Sequence, residues 1–248
     1  MRSRSPLASN GLIPTSSGYG TGELLALSVR HNNGAMTFDE YLVTWAKLHG
    51  THSPKGMVLL WLRISFVLST PLTRFNPNAI TAFGPLLMGL AIFLAATPNQ
   101  NYFLASLTVL VVGLVDSFDG MVAVRTSRTS TWGAFLDGVV DRLIDVGIGI
   151  LLIVLGAPIE LVVLAVSIAI VHEYMRAKAS GIGYQEVGVI TPAEKPTRIA
   201  LGVMFLFASG ILPENATQLA TIASLAWIAL GAISLLMLLR VYRKNIKQ

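Results

Sequence analysis

From residue 76 onward the chain runs in long apolar stretches separated by short polar breaks, a pattern of membrane-length helices rather than alternating strands. A hydrocarbon layer about 30 Å thick takes roughly 20 mostly apolar helical residues, with about 17 to 25 acceptable. By that measure the pattern predicts six spans, 79–97, 102–124, 133–155, 158–175, 199–212 and 217–239. The breaks "TPNQN" and "GAPIE" carry turn-forming residues and are too short to hold a folded domain. Upstream, "GMVLLWLRISFVLSTPLTRF" (56–75) is apolar on most faces with Arg63 at its middle, which suits a helix lying along the membrane surface better than a seventh span. "MTFDEYLVTWAKLHG" (36–50) reads as a short helix. Residues 1–22 are rich in Ser, Gly and Pro and are expected to be disordered. The piece "LLALSV" is too short for a signal-peptide core. The expected fold is therefore all-α and integral to the membrane. Its expected parts are a cytoplasmic N-terminal extension (1–55), an interfacial helix (56–75) and a six-helix transmembrane domain (76–248).

Composition supports this reading. Hydrophobic residues make up 53% of the chain and charged residues 12%, against about 25% in soluble domains, with mean hydropathy +0.66. Cysteine is absent, which excludes disulfides, zinc–thiolate centres and cysteine nucleophiles. The net charge of +5 suits an anionic membrane face or anionic substrates, and no nucleic-acid partner is expected. With six spans, all 18 Lys and Arg fall on one side, while the opposite loops carry only Glu160 and Glu214. The positive-inside rule then places both termini, and the loop between the second and third spans, in the cytoplasm. No internal repeat is visible, which weighs against a transporter built from inverted halves.

The chemistry sits in "DSFDGMVAVRTSRTSTWGAFLDGVVD", residues 116–141. A charge at the centre of a spanning helix costs about 2.5–3.5 kcal/mol on insertion scales, so four aspartates need compensation. Asp116 and Asp119 are three apart at the inner end of one span, and Asp137 and Asp141 are four apart at the inner start of the next. Each pair therefore shares a helix face, and the short loop lets the pairs converge near the cytoplasmic surface. A single aspartate there could be a helix cap. Four together repel, and too few basic residues lie on the same faces, so hard divalent cations, Mg²⁺ or Mn²⁺, are the economical partner. Gly120 and Gly133 either let a ligand approach closely or serve ordinary helix packing. Asp145, a turn deeper, reads as structural, and His172 and Glu173 as a local polar pair.

This stretch resembles the signature of the CDP-alcohol phosphotransferase family, D-x(2)-D-G-x(2)-A-R-x(8)-G-x(3)-D-x(3)-D. Asp116, Asp119, Gly120, Ala123, Gly133, Asp137 and Asp141 fall in register. Val124 stands where the family has arginine; Arg125 follows one place later, about 100° round a helix. "NPNAIT" (76–81) is similar to the family's entry to its first span. "TSTWGAFLDGVVDR" and "YMRAKASGIG…VGVITPAEKPTR" look like the actinobacterial phosphatidylinositol-phosphate synthases of that family, with a few extra residues before the final arginine. The resemblance covers about residues 56–240.

It implies a membrane enzyme with two divalent ions, Mg²⁺ or Mn²⁺, that moves a phosphatidyl group from CDP-diacylglycerol to an acceptor hydroxyl and releases CMP. Carried onto this chain, it implies metal ligands at Asp116, Asp119, Asp137 and Asp141, with Asp141 also the general base. CDP contacts are implied at Asn78, Thr81, Asp119, Gly120, Ala123, Arg125 and Gly133. Arg176, Lys178, Lys195 and Arg198 concentrate beside the site and favour a phosphorylated polyol, inositol phosphate ahead of glycerol phosphate. A homodimer is suggested by the family. Against this stand a cation transporter, which would spread its acids across the bilayer, and an inactive relative, for which only Val124 speaks.

Overall fold

The structure is a computed structural model describing residues 36–48, 54–184 and 190–246 of the 248-residue chain. Residues 1–22 and "LLALSV" lie outside the described residues. Among the described residues there are helices and turns and no strand. Two helices come first, α1 (Phe38–Leu48) and α2 (Gly56–Leu68). Six longer ones follow: α3 (Pro77–Ala96), α4 (Tyr102–Arg125), α5 (Thr131–Val154), α6 (Ile159–Gly181), α7 (Lys195–Ile211) and α8 (Ala216–Asn245).

Local chemistry sets most of these boundaries. Thr37 and Glu40 form a reciprocal cap on α1, with Thr37 N donating to Glu40 Oε2 at 2.8 Å and Glu40 N to Thr37 Oγ1 at 3.3 Å. The stretch expected as one interfacial helix over 56–75 is α-helical only to Leu68. Pro71, which lacks an N–H, then sits in a 3₁₀ turn (Thr70–Arg74) that redirects the chain. Asn76 caps α3 and Pro77 occupies its first turn. Ser130 Oγ accepts from Gly133 N at 3.0 Å and starts α5. The fourth apolar run was expected to end at 175, but α6 continues to Gly181, because Arg176 and Lys178 end the apolar pattern without ending the helix.

Of the long helices, α3, α4 and α8 are long and apolar enough by themselves to cross a membrane. Their outer faces are apolar: Phe83, Leu86 and Phe93 on α3, and Phe103, Leu104 and Leu107 on α4, are exposed. That is the surface of a membrane protein, since lipid tails solvate such side chains. Inside, small residues allow close helix approach. A side chain at Gly147 would collide with Met88, and one at Gly231 with Ile168. Polar hydroxyls tie neighbours together: Ser106 Oγ donates to Val203 O at 2.9 Å, and Ala193 N donates to Ser234 Oγ at 2.9 Å.

The packing order positions the site. α3 packs on α4 and α5, α7 packs on α4, α5 and α8, and α6 packs on α5 and α8. The two aspartate-bearing helices thus share α3 and α7 as neighbours and make little direct backbone contact with each other. A cleft opens between their ends.

Candidate metal and nucleotide cleft

The cleft lies at the C-terminal end of α4, the N-terminal end of α5 and the start of α3. It is open to solvent, with about 600 Å³ of unfilled space including the open solvent at its mouth. Its walls include Pro77, Asn78 and Thr81 from α3, Asp119, Gly120, Ala123 and Val124 from α4, and Gly133, Ala134 and Asp137 from α5. The connecting loop adds Arg128, Thr129 and Ser130. Six of the seven positions expected to contact nucleotide, Asn78, Thr81, Asp119, Gly120, Ala123 and Gly133, therefore line one cavity although they are spread over 56 residues of chain.

The seventh, Arg125, does not line it. Its guanidinium turns to the other side of α4, where Nη1 donates to Phe66 O at 2.8 Å, Ser69 Oγ at 3.0 Å and Thr70 Oγ1 at 3.3 Å. The guanidinium carbon also lies 3.8 Å from the centre of the Phe66 ring. The physical reason is the one-residue offset, which turns the side chain about 100° on from Val124, the position that lines the cleft. Phe38 and Tyr41 of α1 pack on the same Phe66 ring, with centroids 5.3 and 5.7 Å away. Burial pushes the Tyr41 phenol up to about 12, with the Arg125 guanidinium opposing, so this latch keeps a neutral tyrosine.

Asp119 and Asp137 line the cleft, and with Asp116 beside them each brings a carboxylate oxygen within 4.8 Å of the other two. Asp119 is buried, and its Oδ2 has no hydrogen-bond partner among the described residues. Lys195, from the first turn of α7, donates to Asp116 Oδ1 and Asp141 Oδ1 and so joins the fourth aspartate to the cluster. The donor set is all oxygen, one carboxylate oxygen is orphaned, and a Cβ at Gly120 would meet no protein atom within 4 Å. Those features fit hard divalent cations with a phosphate close to the backbone. At Gly133 a Cβ would lie 3.0 Å from Asn78 Oδ1 and 3.2 Å from Ser130 Oγ, so glycine is what lets the Asn78 amide sit against α5.

Behind the floor lies a second ionic group. Arg198 is 1% exposed, and its Nε lies 2.8 Å from Asp145 Oδ1. Its Nη2 donates to Glu173 Oε1 at 3.3 Å, and its Nη1 to Ala193 O at 2.9 Å. Arg142 Nε lies 3.1 Å from Asp145 Oδ2, and its Nη1 lies 3.5 Å from Glu173 Oε2. Glu173 and His172 do pair, at 3.4 Å, but the pair is not isolated: His172 Nε2 is 2.9 Å from Thr191 Oγ1. Of the four cations expected at the acceptor, Lys195 faces the acid cluster and Arg176 pairs with Glu194. Lys178 is exposed in the last turn of α6. Arg198, by contrast, is enclosed behind the site. Sequence reasoning missed Arg128, Arg142 and the Glu194 pairing. Arg128 lies inside the signature stretch and Arg142 ends the family-like "TSTWGAFLDGVVDR", so both carried a signal, and the Glu194 pairing carried none.

Comparison with known proteins bears on the same region. A family model described as CDP-alcohol phosphatidyltransferase matches residues 74–239. An archaetidylinositol phosphate synthase of Pyrococcus horikoshii is 30% identical over 62% of this chain and 78% of its own. A phosphatidylinositol phosphate synthase of Streptomyces avermitilis is 28% identical over 63% and 69%. Among solved structures, the phosphatidylinositol phosphate synthase of Mycobacterium tuberculosis with CDP-DAG bound superposes with a TM-score of 0.54. It is 21% identical and covers 72% of this chain and 91% of its own, a likeness of fold.

Proposed function

The chain belongs to the CDP-alcohol phosphatidyltransferase family, and on that premise we propose that it transfers the phosphatidyl group of CDP-diacylglycerol to a hydroxyl of inositol phosphate, releasing CMP. The observation that carries the reading is the floor of the cleft. Three carboxylates meet there with one oxygen orphaned among the described residues, beside Gly120, which leaves room for a ligand. Relatives named for phosphatidyl and for archaetidyl lipids share inositol phosphate in their names, which supports that acceptor.

Asp116, Asp119 and Asp137, with Asp141 at the edge, would hold the cations, in our proposal two Mg²⁺ or Mn²⁺ ions. Such ions, when bound, neutralise the donor diphosphate and the charge that develops on the leaving CMP. The remaining steps fall to the chain. Asn78, Thr81 and the bare backbone at Gly120 and Gly133 seat the nucleotide. Asp141 takes the proton from the acceptor hydroxyl as its oxygen attacks the lipid-side phosphorus. Lys195 holds Asp141 beside Asp116, orienting that base, and with Arg176 and Lys178 meets the acceptor phosphate. Arg198 supports this wall from behind.

The proposed setting is a multi-pass protein of the cell membrane in which all of α3 to α8 cross. Both termini and the cleft then face the cytoplasm, α2 lies along the interface, and the resemblance adds a homodimer. A cation pathway fits less well, because the acids gather at one end of α4 and α5.

The test is CMP release by purified protein from CDP-diacylglycerol with Mg²⁺ or Mn²⁺ and a panel of acceptors: inositol phosphate, glycerol phosphate, inositol and serine. Metal-dependent release that is strongest with inositol phosphate is expected. Release with none of them would overturn the reading, and preference for a neutral alcohol would overturn the acceptor.

A further inference from the structure

The signature arginine is missing at Val124, yet the cleft does not lack a cation. Helix α4 ends in a Schellman turn: Arg128 N donates to Ala123 O at 2.9 Å and Ser127 N to Val124 O at 3.2 Å, with Ser127 in the left-handed region at φ +54°. That reversal folds the chain back over the last turn of α4 and brings Arg128 to the rim, against Asn78, Gly120 and Gly133. Arg128 is the only Lys or Arg among the described residues lining the cleft.

The two neighbouring arginines differ in what is left to bind. Arg125 spends its guanidinium on the α2 terminus and the Phe66 ring, away from the cleft. Arg128 is exposed and makes a single long bond, Nη1 to Phe75 O at 3.4 Å; its other guanidinium N–H groups have no hydrogen-bond partner among the described residues. A pocket with acids on its floor and one guanidinium at its rim complements a cation-bound diphosphate, because the carboxylates take the cations and the planar fork takes phosphate oxygens.

Building on the function proposed above, we propose that Arg128, and not Arg125, is the arginine that contacts the diphosphate of the donor nucleotide. Ser127 is its positioning residue, because a β-branched side chain at φ +54° is strained and would open the turn.

The experiment is equilibrium binding of CDP and of CMP, each with Mn²⁺, to the purified full chain and its variants. Arg128→Gln is expected to weaken CDP binding about tenfold or more, with CMP affected less, so that the CDP preference shrinks. Arg128→Lys should recover part of it, and Ser127→Val should mimic the loss while Ser127→Gly keeps wild-type affinity. Arg125→Gln should leave the CDP-to-CMP ratio unchanged. Wild-type protein that binds neither nucleotide would sink the functional reading itself. Wild-type protein that binds CDP, with Arg128→Gln binding it equally well or Arg125→Gln losing as much, would overturn this assignment alone.

Discussion

Two acidic groups meet along α5, where Asp141 of one lies a turn from Asp145 of the other, and their partners differ. In the front group Asp116, Asp119 and Asp137 converge and Asp141 stands beside them; Lys195 is shared by Asp116 and Asp141, Arg142 Nη2 reaches Asp141 Oδ2 only at 3.8 Å, and Asp119 Oδ2 has no hydrogen-bond partner among the described residues. In the rear group Asp145 and Glu173 are matched by Arg142 and Arg198. Charge matched from within the chain holds helices together. Charge left over at the floor of an open cleft calls for ions and a substrate from outside. The contrast explains why the front set reads as chemistry and Asp145 as scaffold.

The strongest way to break this contrast is at Asp141. Asp141→Asn removes the proposed base and is expected to lower kcat by about 10²–10⁴-fold with the fold intact. Unchanged turnover in the CMP-release assay would contradict its role.

Next in size is the rear group. Replacing one partner of a buried ion pair strands the other, at about 3–5 kcal/mol. Arg198→Met or Asp145→Asn should therefore depress the melting temperature in detergent whether or not metal is present, and the double change should cost less than the two singles added together. Asp119→Asn, in contrast, should leave metal-free stability unchanged or slightly higher, because it removes a buried carboxylate with an orphaned oxygen. Equal losses from the front and rear variants would erase the distinction.

A smaller effect is expected at Gly133→Ala, whose methyl group would press on Asn78 Oδ1 at 3.0 Å. The KM for CDP-diacylglycerol should rise a few-fold, on the order of 1 kcal/mol, with kcat little changed. A rise in the acceptor KM instead would move the nucleotide to another wall.

The front group was legible in the sequence, whereas of the rear group only Asp145, read as structural, and the His172–Glu173 pair were, and its arginines were not, for a physical reason. Spacings of three and four put Asp116 with Asp119 and Asp137 with Asp141 on shared faces through local helix geometry alone. The long helices were equally legible, because an apolar run must be helical in lipid; the run 102–124, for example, is the helix Tyr102–Arg125. What failed depended on direction and distance. The offset of Arg125 was visible, but not the Phe66 carbonyl and Ser69 hydroxyl, more than fifty residues away, that capture it. Arg198 read as a phosphate ligand because its loop is basic; its burial against Asp145 comes from the packing of α7 on α5, which no local pattern encodes. Arg128 was overlooked because a Schellman turn on a serine, rather than the usual glycine, hides a chain reversal.

The central claim is that the unmatched front acids hold divalent cations, and Mn²⁺ binding to the purified full chain, followed by thermal unfolding in Mn²⁺ against EDTA, tests it most directly. Saturating Mn²⁺, about a hundredfold above its Kd, should stabilise wild-type protein by about 2.7 kcal/mol for each ion bound. Asp145→Asn should keep most of that gain on a lower baseline, and Asp119→Asn should lose it. Stabilisation of Asp119→Asn equal to wild type, or none in wild type, would contradict the account.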